Sequence, residues 1–274
     1  FVDPAPPKGR LRYWVAAIDP AGTEGQPALV ELAAGGLLGN ISTRGLVGRG
    51  DQVMIGGFIV RDGPVHVLLR AKGPSLPVPG ALQDPQLTLF RGATAIAGND
   101  NAPAGMANGP SDPRESAIDT TLDPGEYTAI VRGAGDTTGI ALIEVFAFGG
   151  TGALVNLSTR GDVRSGDQVL IGGIIIRDQP TKVVIRAIGP DLNRRGVAGA
   201  LQDPVLTLYD ATGQELQVND DWQASGSLSD LPIGLRPTDP RESALALTLA
   251  PGAYTGIVRG KIVRSGYEPH RMAM

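Results

Sequence analysis

Two stretches of this chain are near-copies of one another. Residues 41–72 read ISTRGLVGRGDQVMIGGFIVRDGPVHVLLRAK, and residues 157–188 read LSTRGDVRSGDQVLIGGIIIRDQPTKVVIRAI. The match resumes at GALQDPQLTLF and GALQDPVLTLY, then SDPRESAI and TDPRESAL, then LDPGEYTAIVRG and LAPGAYTGIVRG. Self-similarity of this length means one folding unit made twice. The chain has 274 residues, enough for two domains of ordinary size. The copies divide it into an N-terminal extension, 1–36, a first unit, 37–150, and a second, 151–274.

Each copy alternates short apolar runs with turn chemistry. QVMIGGFIV ends at Arg61-Asp62-Gly63-Pro64, and VHVLLRAK follows with Val65, Val67 and Leu69 on one face. The runs are too short for ordinary helices and rich in β-branched residues. The 39 glycines and 22 prolines punctuate many strands. Gly56-Gly57 and Gly172-Gly173 fall mid-strand, where glycine marks a bulge or a close backbone approach. Asp210-Ala211-Thr212-Gly213 reads as a hairpin turn. Seven or eight strands per copy, with no convincing amphipathic helix, predict an all-β chain of two tandem antiparallel β-sandwiches.

The ends break the symmetry. The first copy closes on ALIEVFA at 141–147, but the second runs from Gly260 into KIVRSGYEPHRMAM, with no such strand. The extension carries the missing pattern: ALVELAA at 28–34, preceded by Tyr13-Trp14-Val15-Ala16-Ala17 where the first copy has Tyr127-Thr128-Ala129-Ile130-Val131. A sheet short of a strand leaves an unpaired edge and open core, and an added strand repairs both. Ala28, Leu29, Val30, Glu31 and Leu32 are thus the candidate donor strand. Lent to a neighbouring molecule, it makes a head-to-tail homopolymer. Lent within the molecule, it makes a closed monomer. A third reading is that the extension is a remnant of a longer repeat array, packed locally as a cap.

Composition narrows the function. Net charge is −4 without blocks of like charge, and aromatics are 4%, so nucleic acid is not an expected partner. With no cysteine there is no disulfide framework or thiolate chemistry. No apolar run reaches the ~18 residues of a membrane helix. The first residue is Phe1, which is read as processing of a secreted protein or as a fragment. Only His66 and His270 are available for acid–base chemistry, and neither sits in a catalytic signature, so an enzyme is not expected.

No cofactor is expected; calcium is the one candidate ligand. Asn99, Asp100 and Asn101 match Asn219, Asp220 and Asp221, and clustered carboxylate and amide oxygens suit calcium. The other reading is an Asx turn in which these side chains bind their own backbone. Arg114-Glu115 and Arg241-Glu242 read either as carboxylate clamps or as ion pairs fixing the long connection. Arg44 and Arg160, with Asp51 and Asp167, are read as pinning the first strand of each copy, and Trp222 as folded onto its sandwich.

The strings DPQLTLF…GND…SAIDTTLDPGEYTAIVRG and DPVLTLYDATGQELQVNDD…SALALTLAPGAYTGIVRG resemble the bacterial pre-peptidase C-terminal domain family, over about residues 84–148 and 203–260. The resemblance implies a secreted, jelly-roll-like β-sandwich that accompanies exoenzymes, with relatives that bind calcium and extracellular matrix or carbohydrate. It carries ligand roles only onto the Asn/Asp positions above. The LSTRG…GDQVLIGG half lies outside the pattern, and no peptidase domain is present. Together these readings predict a non-catalytic, secreted structural protein of the bacterial cell surface, a filament subunit assembled by donor-strand complementation. The alternative is a calcium- or carbohydrate-binding adhesin or accessory module.

Overall fold

The computed structural model describes residues 10–12, 31–33, 37–224 and 231–261. The extension contributes β1 (Arg10–Arg12) and β2 (Glu31–Ala33), paired antiparallel with Leu11 opposite Leu32. The first copy forms β3 (Leu37–Val47), β4 (Met54–Arg61), β5 (Val65–Lys72), β6 (Pro85–Arg91), β7 (Thr94–Asn99), β8 (Ser116–Leu122), β9 (Gly125–Gly133) and β10 (Gly139–Gly150). The second forms β11 (Ala153–Arg160), β12 (Leu170–Arg177), β13 (Thr181–Ala187), β14 (Pro204–Asp210), β15 (Glu215–Asn219), β16 (Ser243–Leu249) and β17 (Gly252–Gly260). A short helix, α1 (Pro190–Arg194), interrupts the second. The all-β expectation holds. No helix among the described residues is long and apolar enough to cross a membrane.

In the first copy one sheet runs β3-β10-β5-β8 and the other β4-β9-β6-β7. Counting strands one to eight along the copy, these orders are 1-8-3-6 and 2-7-4-5, the two interlocked Greek keys of a jelly roll. Alternation sets the faces. Val65, Val67, Leu69 and Ala71 of β5 are all buried, against Met54, Phe58 and Val60 of β4 and Ala129 and Val131 of β9 in one apolar core. Phe58 and Tyr127 stack at 5.5 Å between ring centroids, and the Tyr127 hydroxyl donates to the Asp123 carbonyl at 2.7 Å, fixing the hairpin that starts β9.

The boundary at 150/151 separates units of sequence but not of hydrogen bonding. β3 pairs with β10 on one edge and with β12 of the second copy on the other. Reciprocally, β11 pairs with β4 of the first copy. The registers correspond: Ser42 lies opposite Gly173, and Ser158 opposite Gly57. This explains the mid-strand glycines as close approaches. A Cβ on Gly57 would come within 2.6 Å of Ser158 Oγ, and Gly173 meets Ser42 Oγ in the same way. Each copy therefore lends its first strand to the other's sheet, giving one eight-stranded sheet in the order β15-β14-β17-β12-β3-β10-β5-β8.

The two lent strands meet at the centre, where Thr43 Oγ1 and Thr159 Oγ1 share a hydrogen bond of 2.6 Å. Thr43 is buried, so losing one hydroxyl orphans the other. Thr159→Val is expected to cost about 1–2 kcal/mol, and adding Thr43→Val to recover most of it, because two methyl groups need no partner. A urea-melt double-mutant cycle reads this directly; strictly additive losses would remove the hydrogen bond's role.

Candidate functional site

The Asn/Asp loops are built alike in both copies. Asn99 Oδ1 accepts the Ala117 amide at 2.9 Å, and its Nδ2 donates to the Asn101 carbonyl at 3.0 Å. Asn219 repeats this with the Ala244 amide at 2.7 Å and the Asp221 carbonyl at 3.0 Å. Both amide side chains thus bracket their own backbone. Asp100 and Asn101 are exposed. In the second copy Asp220 and Asp221 come together with Asp203, which the sequence reading did not single out; its signal was the QDP string that leads β6 and β14. The Lys261 ammonium already reaches this trio, 2.6 Å from Asp220, 3.7 Å from Asp203 and 4.0 Å from Asp221. The Asp220 contact, first of all, raises the Lys261 pKa, whereas burial pushes Asp203 up.

The PRES strings tie the long connection to the sandwich. Asp112 turns Arg114 back on itself, accepting its amide at 3.0 Å, Nε at 3.0 Å and Nη2 at 2.8 Å. The ion pair of the long connection is thus Arg114 with Asp112, and Arg241 with Asp239 in the second copy, while the glutamates do something else. Glu115 is buried, and its Oε1 accepts the Gly73 amide at 2.8 Å, the Ser75 amide at 2.9 Å and the Ser75 hydroxyl at 2.7 Å. Ser116 Oγ donates to the Asn99 carbonyl at 3.0 Å or the Asp100 carbonyl at 2.9 Å, and lies against the Pro85 carbonyl. Glu242 and Ser243 repeat this on Gly189, Asp191 and Asp220. Three adjacent residues thus anchor three loops, as a structural bracket. Trp222 is buried and donates Nε1 to the Asp239 carbonyl at 3.1 Å, as its expected fold onto the sandwich requires. Arg160 reaches the Asp51 carbonyl at 3.0 Å, so its contact is with the other copy's backbone.

Asp239, between Arg241 and Arg194, is held far below the usual aspartate range, chiefly by the Arg241 hydrogen bonds. Its folded-state preference for the charged form is present at neutral pH and is lost as pH falls below about 4. Glu242, pushed up by burial, acts in the opposite sense. Asp239→Asn is therefore expected to flatten the acid limb of stability; unchanged slopes in urea melts across that limb would contradict the assignment.

His66 is exposed on β5 and pairs with Asp119 at 2.5 Å, a surface cross-strand contact. His270 lies outside the described residues.

The remaining candidate is the lane that β10 fills in the first copy. In the first copy β10 lies between β3 and β5. The equivalent lane of the second copy lies between β11 and β13. Among the described residues, β11 is laddered only to β4 and β13 only to β16. With that lane filled, the second sheet would read β7-β6-β9-β4-β11-x-β13-β16, the counterpart of the eight-stranded sheet with x in the place of β10. Of the candidate donor residues, Ala28, Leu29 and Val30 lie outside the described residues, as do 13–17. Glu31 and Leu32 belong to β2, whose backbone runs alongside β13. No family model matches this chain, and no curated protein matches it.

Proposed function

We propose that this chain is a non-catalytic, secreted structural protein of the bacterial surface, a subunit that assembles head-to-tail by donor-strand complementation. One observation supports the reading: among the described residues no strand is laddered between β11 and β13, and the same polypeptide holds, at 28–34, a near-copy of the strand that fills the equivalent lane of the first copy. Main-chain hydrogen bonds supply affinity in such a contact, and alternating side chains supply register. β2 lies beside β13, so this segment is at hand for the lane. Exchange of that segment into the next subunit gives a heterologous contact that does not close, hence a filament. Electron microscopy and size-exclusion chromatography over a wide concentration range test this. Growth into filaments that stops when residues 1–36 are deleted supports it. A strict monomer at every concentration removes it.

A second reading, a calcium-binding accessory module like the resembled family, draws on the trio Asp203, Asp220 and Asp221. The Lys261 ammonium supplies the positive charge there already. Lys261→Met is expected to lower the melting temperature at low salt through carboxylate repulsion, and calcium to restore it. A calcium-induced rise in the unsubstituted chain would favour this second reading over the first.

A further inference from the structure

Arg70 and Arg186 occupy the same place in β5 and β13, and they differ in their hydrogen-bonded carboxylate. Arg70 is gripped by Glu144 of β10, with Nη2 at 2.6 Å and Nε at 3.0 Å from one carboxylate oxygen. Its Nη1 donates to the Asn108 carbonyl of the long connection at 2.9 Å. Arg186 keeps the second contact, Nη1 to the Leu235 carbonyl at 2.9 Å. It lacks the first, since its copy has no described strand in the β10 lane. Its Nε is buried without a partner. Burial pulls its pKa down to about 10. On β11, across the same lane, Asn156 is buried with both side-chain amide atoms unpaired.

Glu144 is the fourth residue of ALIEVFA, and the fourth residue of ALVELAA is Glu31. β10 sets the register to copy: Glu144 opposite Arg70, Val145 opposite Leu69 and Phe146 opposite Leu68. Transferred to the second copy, this places Glu31 opposite Arg186, Leu32 opposite Ile185 and Ala33 opposite Val184. We propose that β2 of the same chain seats antiparallel on β13 in this register, with the Glu31 carboxylate closing on the Arg186 guanidinium. The inference rests on the strand-donation reading and specifies its register and charge lock. The source is the chain's own segment because β2 already lies along β13; β1 takes its other edge, with Leu11 opposite Leu32, so the seat proposed is the one on β13. Glu242 and Asp191 already favour the charge of Arg186 without hydrogen-bonding its buried Nε, so a strand that slips by one residue forfeits the hydrogen-bonded pair and turns its apolar side chains outward.

The chain has no cysteine, which allows a clean cross-linking test. Ala33→Cys with Val184→Cys is expected to form a disulfide within one chain, and Ala33→Cys with Val183→Cys to form little. A reversed preference overturns the register while leaving donation intact. A disulfide found only between chains overturns the choice of source while supporting the filament. No disulfide in either pair overturns this inference and the strand-donation reading together. The charge lock is read separately by thermal melts. Glu31→Gln is expected to lower the melting temperature in the parent chain and to do nothing in Arg186→Met. Equal losses in both backgrounds would overturn the pairing.

Discussion

Glu115→Ala should destabilise the protein by about 3–4 kcal/mol, the largest effect expected of any single substitution here. One carboxylate oxygen accepts the Gly73 amide, the Ser75 amide and the Ser75 hydroxyl, and the residue is fully buried. Alanine leaves the buried Gly73 amide without a partner and the half-buried Ser75 amide and hydroxyl to compete for water. Each buried unpaired donor costs about 1–3 kcal/mol, partly offset because a buried charge is also removed. Glu115→Gln keeps an oxygen in place and should cost less than half as much. Glu242→Ala removes the same support from the Gly189 and Asp191 amides and should cost somewhat less, having fewer donors to orphan. Urea denaturation of the four proteins, parent included, measures the ranking. A Glu115→Gln loss equal to that of Glu115→Ala would mean the charge, not the cradle, is what matters.

Deleting residues 1–36 is the second large perturbation. It strips the strand from beside β13 and leaves two β-edges facing each other across an empty lane. Val183, Val184 and Leu154, now buried, flank that lane on β13 and β11. Full exposure of one such residue costs about 2–3 kcal/mol, and partial loss of cover over the three about 3–4 kcal/mol in all. For a chain of this size each kcal/mol shifts melting by roughly 2–4 °C, so a loss of about 10 °C is expected, with aggregation through the bare edges. A peptide spanning residues 26–36, added in trans, should restore most of the loss. A scrambled peptide of the same composition should restore none. Full stability of the deleted chain without peptide would show that the lane needs no strand.

The strands and their core-facing sides were legible because period-two alternation and turn residues are local signals. Val65, Val67 and Leu69 face the core as their spacing predicts, and Gly213 takes the left-handed turn, at φ 84°, with Asp210 accepting the Thr212 and Gln214 amides. Partner choice was not legible. Alternation assigns a face to β3 and β11 but cannot say which strand lies alongside, so the crossing of each into the other copy's sheet went unseen. The glycine pairs carried that information in part, as a demand for close approach without naming Ser42 or Ser158. Glu115 was read through its sequence neighbour Arg114. In a turn, adjacent side chains diverge, and each found a partner elsewhere. Asp203 was missed because its companions lie a whole hairpin away.

The crossing of β3 and β11 also governs how the molecule bears load. Had the copies been separate beads, a pull on the ends would unravel one and spare the other. With β3 stitched between β10 and β12, and β11 stitched to β4, neither half can be drawn out without shearing ladders of both. A tether made of such units would hold rigidly up to a threshold and then rupture unit by unit, never half a unit at a time.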